Sequence, residues 1–444
     1  MLGIVGDDIT GSSDIGLLFS KWNFKTEIYS YEVLDKLNKV SSDVLIIDTN
    51  SRFDDRDTAY QKVKKATRKL KELGCTTFFN KTCSVFRGNI GSEFDAMQDE
   101  LGIYFSIVVL GYPENGRTTK DGIHYVNGVK LSESVFRNDP IHPMEEDHLV
   151  DILQKQTSRK VGSIHYSIIQ KGAEALKAEI ELMKDKYNYV ILDVESGECM
   201  EVIAKAVQHY PILCGSAGLG SYLPAFWANK EKNDLLKGVD LKQEKGVFIP
   251  NGSLMPQMKE QIDYIVDQGA VDLILHTENL FTEEGYQQEI EWAKEESQKY
   301  LNEGHNVVLR SPYTPDRIQS TRKNGLKYMG LDKVQSSEYV SKALADITFN
   351  VVNELKLKKL IIGGGNTSNA ICKRLGIEGI LIIDEIDQGV CSCLSLNDNP
   401  MLVILKSGSF GKEDLLQRAI DYMNKVEGGY ENGVRESGVS SEVK

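Results

Sequence analysis

Leu360-Ile361-Ile362-Gly363-Gly364-Gly365-Asn366-Thr367-Ser368 reads as a buried strand that runs into three glycines and then a polar trio. A helix over 369–375 follows, and Gly376 can end it. Glycine lets the backbone approach a ligand closely, and a helix start offers free N–H groups and a partial positive charge, both suited to phosphate. Asn366, Thr367 or Ser368 could instead cap the helix, but capping alone does not need three glycines. In open α/β sheets ligands bind beyond the carboxyl ends of the strands. The turn therefore predicts an α/β fold with a phosphate or nucleotide site at Gly364, Gly365, Asn366, Thr367 and Ser368.

The same strand–turn–helix pattern recurs on either side. Lys406-Ser-Gly-Ser-Phe-Gly411 follows an apolar strand, and its cation and flexible backbone around Gly408 suit a nucleotide edge or a plain tight turn. Asn251-Gly-Ser253 is a weaker third case. Apolar runs at 246–250, 273–276, 307–309, 360–362, 380–383 and 402–405 predict one sheet, with helices near 257–268 and 283–303. Runs at 2–5, 44–47, 76–79, 107–110, 190–192 and 212–214 predict another, with helices over 58–73 and 200–209. Short, wholly apolar runs separated by helices indicate mainly parallel sheets flanked by helices on both faces.

The 444 residues exceed one hydrophobic core, which predicts two domains. The polar stretch 229–245 is the expected linker between a domain at 1–228 and one at 246–426, and the Gly-, Ser- and Glu-rich 427–444 is an expected flexible tail. A net charge of −13 argues against nucleic acid or an anionic membrane as the main partner. Seven scattered cysteines do not form a disulfide framework, and the Cys391-x-Cys393 pair lacks the second pair of a zinc site. With no signal-peptide pattern and no apolar run of membrane-spanning length, the expected location is the cytoplasm. Neither the P-loop, the dinucleotide fingerprint, H-E-x-x-H nor G-x-S-x-G is present.

The first half carries different chemistry. Gly6-Asp-Asp-Ile-Thr-Gly-Ser-Ser-Asp14 places three carboxylates and three hydroxyls after the opening strand. Adjacent acids there can hold a polyol hydroxyl, accept its proton or bind Mg²⁺, or form a turn and cap. Two successive aspartates exceed what a cap needs. Asn80-Lys-Thr-Cys-Ser-Val-Phe-Arg-Gly-Asn-Ile-Gly91 puts Lys81 and Arg87 past a strand, and Arg117 follows another. The planar fork of arginine matches a carboxylate.

From residue 1 to about 423 the chain resembles the four-carbon acid sugar kinase family. The resemblance is carried by Gly6–Asp14, Arg87-Gly-Asn-Ile-Gly-Ser-Glu93, Tyr112-Pro-Glu-Asn-Gly-Arg-Thr-Thr119, Gly215-Ser-Ala-Gly-Leu219, Gly252-Ser253, Gly364-Gly-Asn-Thr-Ser368 and the Lys406–Gly411 turn. It implies an ATP-dependent kinase, with Mg²⁺ on the nucleotide, that phosphorylates the terminal hydroxyl of a threonate-like acid. An N-terminal domain would bind the acid and a C-terminal domain the nucleotide. Asp7 and Asp8 become the candidate catalytic residues. Thr10, Lys81, Arg87, Gly88, Asn89 and Arg117 are the candidate substrate contacts, and Ser253, Gly364 to Ser368, Lys406 and Gly408 the candidate nucleotide contacts. No metal ligand can be assigned. The chain departs from the family pattern at Cys83, Val85 and Asn366, where an acid, a threonine and an acid are usual. Those departures leave room for a different acid or for a sensor that no longer turns over. An oxidoreductase is disfavoured by the missing fingerprint. The partners expected are the acid and ATP, with a homo-oligomer left open.

Overall fold

The opening strand β1 (Leu2–Gly6) is buried along its whole length, as a parallel strand covered on both faces must be. A computed structural model describes the chain apart from residues 140–141, 228–230, 232–233, 388, 407, 409–410 and 428–444. The expected tail and part of the expected linker thus lie outside the described residues. Two compact units emerge. The first comprises Met1–Lys237, Ile377–Glu385 and Cys393–Asn397; the second comprises Gly238–Gly376, Ile386–Ser392 and the described residues from Asp398 onward. Two short stretches from late in the sequence thus cluster with the N-terminal unit. Leu241 and Gln243 are buried, and Gln243 Oε1 accepts from the Lys358 and Lys359 amides, which ties the stretch after Gly238 into the second unit.

In the first unit the strands after β1 are β2 (Thr26–Ser30), β3 (Val44–Asp48), β4 (Thr77–Lys81), β5 (Ser106–Val109), β6 (Arg117–Lys120), β7 (Ile123–Val126), β8 (Val129–Lys130), β9 (Val161–Ile164), β10 (Tyr189–Leu192) and β11 (Ile212–Gly215). The main sheet runs β2-β3-β1-β4-β11-β5-β10-β9 and every pairing is parallel. The chain leaves β1 to one side for β2 and β3, then crosses to the other for β4. The carboxyl ends of β1, β3 and β4 therefore flank a topological switch point.

Strands β6, β7 and β8 form a separate antiparallel sheet. Its two turns are Asp121-Gly122 (φ +50° and +77°) and Asn127-Gly128 (φ +50° and +80°), the left-handed pairs that two-residue hairpins require. Buried His124 on β7 stands 3.0 Å from Thr119 Oγ1 through Nδ1 and 3.0 Å from Ser84 O through Nε2, fastening this sheet to the segment after β4. Burial lowers its pKa to about 4, the Ser84 bond opposing. The unfolded chain takes up a proton there below about pH 6.5, whereas the folded chain does so only near 4. Stability is therefore expected to fall by about 3 kcal/mol as pH drops across that window, and His124→Asn should flatten that limb in pH-dependent urea titrations.

In the second unit the strands are β12 (Phe248–Asn251), β13 (Val271–Ile274), β14 (Val307–Arg310), β15 (Lys359–Gly363) and β18 (Leu402–Lys406), in parallel order β13-β14-β12-β15-β18. Between β15 and β18 lie β16 (Gly379–Asp387) and β17 (Val390–Ser395), and the first residues of β16 run antiparallel to β2 within the first unit. A second switch point falls between β12 and β15. The helices Pro315–Met329 and Lys333–Leu355 were not expected from the sequence; Asp332 and Gln335 start the latter with a capping box.

Candidate functional site

At the first switch point the chain leaves β1 into the helix Ile9–Ser20. Asp8 is its N-cap, and Asp8 Oδ1 accepts from the Gly11 amide at 2.8 Å. Its other oxygen accepts from Arg52 Nη1. Asp7 is bound in a two-pronged pair: Arg52 Nε donates to Oδ2 and Nη2 to Oδ1, each at 2.8 Å. The Asp7 side chain is 1% exposed and that of Asp8 24%, so only the second carboxylate faces solvent. Burial opposes the Arg52 charge, but Asp7 and Asp8 outweigh it and raise its pKa.

The arginine itself is held from several directions. Gly88, at φ +103°, leaves the room it needs: a Cβ there would lie 3.1 Å from Arg52 Cγ. Asn89 Nδ2 donates to Ser51 O and Asp54 O, and the His142 ring is 3.2 Å from Arg52 O through Nε2. Gly88 and Asn89 thus touch the Arg52 segment.

Lys81, at the end of β4, is buried; its ammonium donates to Thr82 O and stands 2.5 Å from where a Gly11 Cβ would be. Burial raises the Asp14 pKa, with Lys81 opposing and Asp8 adding to it. Asp48 is pushed up to about 7 by burial, against a backbone bond from Asn50 and with Asp8 and Asp7 adding. Thr10 is exposed on the first turn of the helix.

Arg87 is half-buried and bonded, Nη1 to Asp139 Oδ2 at 2.6 Å and Nε to Cys83 Sγ at 3.4 Å. Arg87 and Arg117 share the Phe136 ring, 5.1 and 6.0 Å from its centre. Arg52, Arg87 and Arg117 all lie within electrostatic reach of Cys83. Arg117 donates to Asn115 O, while its Nε is buried without a partner among the described residues.

In the second unit a cavity of about 360 Å³ opens beyond β12, β14 and β15. Gly252, Ser253, Gly364, Gly365, Asn366, Thr367 and Gly408 line it. The helix Gly365–Arg374 has Gly364 at its N-cap, and no side chain caps it. Its first amides are thus left to a ligand, as the three-glycine turn suggests. Gly364 has φ +103°, and a Cβ there would meet the Ser253 amide at 3.1 Å. At Gly252 and Gly408 a Cβ would come within 2.1 Å of Thr367 Oγ1 and 2.0 Å of Ser253 Oγ, so the three turns pack through glycine. Ser368 is buried just inside the helix. Lys406 is buried at the end of β18, its ammonium 3.5 Å from Gly408 O, and burial lowers its pKa to about 8.

The sequence candidates did not include Arg52, Ser51 or Asp48 of the first unit, or Ser311 and Arg322, which also line the second unit's cavity, and Glu93 figured only as the last residue of a family motif. Asp48-Thr-Asn-Ser-Arg52 is itself a polar turn after an apolar run, the signal that singled out Asp7 and Lys81. Ser311 and Arg322 carry no comparable local pattern.

The two switch-point sites define a two-domain α/β protein with one acid-and-cation cluster and one glycine-lined cavity at an uncapped helix start. Residues 2–223 match the family described as "Sugar-binding N-terminal domain" and residues 249–416 that described as "Nucleotide-binding C-terminal domain". The 3-oxo-tetronate kinase of Haemophilus influenzae is 29% identical over 428 residues, covering 94% of this chain and 99% of the relative. The D-threonate kinase of Salmonella typhimurium is 26% identical over 436 residues, covering 95% and 98%. A Haemophilus influenzae crystal structure superposes with TM-score 0.77 at 27% identity, covering 95% of this chain and all of that one. A Salmonella typhimurium protein at 24% identity shares the fold, with TM-score 0.82 over 94% of this chain and 98% of that one. The chain belongs to the four-carbon acid sugar kinase family and is a phosphotransferase with a hydroxyl as acceptor. Among the described residues no helix is long and apolar enough to cross a membrane.

Proposed function

We propose that the chain transfers the γ-phosphoryl group of ATP to the terminal hydroxyl of a small, four-carbon-like sugar acid. The observation that carries this reading is the Asp8 carboxylate, open to solvent yet aimed by Arg52 and by the Gly11 amide. As the substrate oxygen bonds to the γ-phosphorus and the bond to the β-phosphate oxygen breaks, Asp8 takes the hydroxyl proton and ADP leaves. Asp7 keeps Arg52 in place. Lys81 offsets the charge on this carboxylate cluster, and Thr10 is placed to bond a polyol hydroxyl. Arg117, which shares the Phe136 ring with Arg87 and whose Nε has no partner among the described residues, receives the substrate carboxylate.

In the second unit the amides from Gly364 through Thr367, the Ser253 turn and the Gly408 turn hold the phosphates, with the Lys406 charge beneath them. Asn366 faces the nucleotide without adding negative charge. Among the described residues no Asp or Glu lines this cavity. The residues present therefore fit a Mg²⁺ that arrives on the phosphates with water and hydroxyl ligands, where it would neutralise phosphate charge.

The test is ADP release from Mg-ATP with D- and L-threonate, D- and L-erythronate and 3-oxo-tetronates. Turnover with one acid or more is expected. Silence across the panel while ATP still raises the melting temperature overturns the reading. A narrower test is Gly364→Ala. A side chain at that φ costs about 1–2 kcal/mol, so KM for ATP should rise about tenfold. The melting shift produced by the acid alone should not change.

A further inference from the structure

Glu93 belongs to a motif that the proposed mechanism does not use. It lies in the first turn of the helix Ile90–Leu101, 1% exposed, and its Oε1 is 2.7 Å from Ser51 Oγ. Ser51 Oγ is 2.7 Å from Thr49 Oγ1, and Thr49 Oγ1 is 2.8 Å from Gly6 O. The row ends on the residue immediately before Asp7, and its second member, Ser51, immediately precedes Arg52.

Counting protons decides what Glu93 must be. Three oxygen–oxygen contacts need three hydrogens, and a carbonyl oxygen can only accept. Thr49 and Ser51 supply one each. With Glu93 ionised, one 2.7–2.8 Å contact would set lone pair against lone pair inside the protein. With Glu93 protonated, its hydroxyl donates to Ser51, Ser51 to Thr49 and Thr49 to Gly6 O, and every link is satisfied.

We propose that Glu93 is a positioning residue that works in its protonated form, the proton completing a chain that fixes the Gly6–Asp7 turn and the Ser51–Arg52 segment relative to each other. The inference rests on the kinase reading only for its activity arm. The groups facing Glu93 are consistent with it. Asp7 at the end of β1 carries negative charge, Arg52 after β3 is engaged with Asp7 and Asp8, and Asp54 is paired with Lys62. From β4 the Asn80 side-chain amide donates to the Glu93 backbone carbonyl. Helix Arg56–Glu72, packed alongside, has Ala59, Val63, Ala66, Thr67 and Leu70 as its buried residues. Burial first, and then the Asp7 carboxylate, push the Glu93 pKa well above the ordinary carboxylate range, with Ser51 and Arg52 opposing. Ionising Glu93 would open the chain and add a third carboxylate near the guanidinium that Asp7 and Asp8 already share.

Two variants and two readouts test this. Glu93→Gln keeps a donor toward Ser51, so kcat should stay within about threefold of wild type, whereas Glu93→Ala removes the last link and should lose about 30-fold or more, on the scale of a misplaced catalytic group. An alkaline limb of kcat is expected in wild type and should disappear in Glu93→Gln. Independently of turnover, wild type should lose stability relative to Glu93→Gln as pH rises above the ordinary glutamate range. The infrared difference spectrum of wild type minus Glu93→Gln should show the carbonyl band of a protonated carboxyl, over any band that Asp14 and Asp48 give in both. Absence of that difference band at neutral pH, or a Glu93→Gln enzyme as poor as a folded Glu93→Ala, overturns the proposal. If wild type is inactive on every acid, the infrared and stability arms still decide Glu93, and only the kinase reading falls.

Discussion

Asp8→Asn is expected to lower kcat by about a thousandfold or more while leaving nucleotide affinity unchanged, the scale of a lost general base. The substitution is well controlled by the structure. Asparagine preserves the volume and the side-chain oxygen that accepts the Gly11 amide, so the helix Ile9–Ser20 keeps its cap. What it removes is the ability to take a proton and the ionic half of the contact with Arg52. With the nucleotide proposed to bind in the other unit, the melting shift it produces should be the same in Asp8→Asn and in wild type. Single-turnover ADP release and melting shifts with each ligand give the two numbers needed. A fully active Asp8→Asn enzyme would sink the assignment of Asp8 as base.

The second large effect is Arg52→Ala. Asp7 would then be a carboxylate with almost no solvent exposure and without its paired guanidinium. Breaking a buried pair on one side costs about 3–5 kcal/mol. Arg52→Lys restores charge but not the planar fork that spans both Asp7 oxygens, so it should recover part of the stability and little of the activity. Urea denaturation at pH 7 measures the loss. Repeating it at lower pH provides a check on cause: protonating the stranded carboxyl relieves the penalty, so the gap between Arg52→Ala and wild type should narrow on acidification. A gap that does not change with pH would mean that packing, not stranded charge, sets the cost.

Much of the architecture was legible because its signals are local. The runs at 2–5, 44–47 and 360–362 are apolar on both faces, and they became β1, β3 and β15 with extensions of one or two residues. The two hairpin turns carried an equally local signal, Asp121-Gly122 and Asn127-Gly128, which the α/β rhythm overshadowed. β2 and β9 were harder, since Thr26 and Glu27 or Gly162 and Ser163 interrupt the apolar run. The helix Lys333–Leu355 is long, but its apolar positions are diluted by polar residues such as Ser336 and Ser341, which are buried nonetheless.

The chain by itself determined where the glycine-rich and polar turns after the strands would lie. Strand runs, glycines at positive φ and free helix starts are set by the backbone preferences of a few adjacent residues. Only the tertiary structure decided which side chains act together. Arg52 reaches Asp7 across 45 positions and Glu93 meets Ser51 across 42. Those meetings depend on the order β3-β1-β4 in the sheet and on the helix after β4 packing against the helix Arg56–Glu72, where it reaches the turn after β3. Nothing in the local sequence around Arg52 names its partner. Sheet order is chosen by the burial of whole strands, and only when it is settled do a buried cation and its carboxylate find themselves within 3 Å of each other.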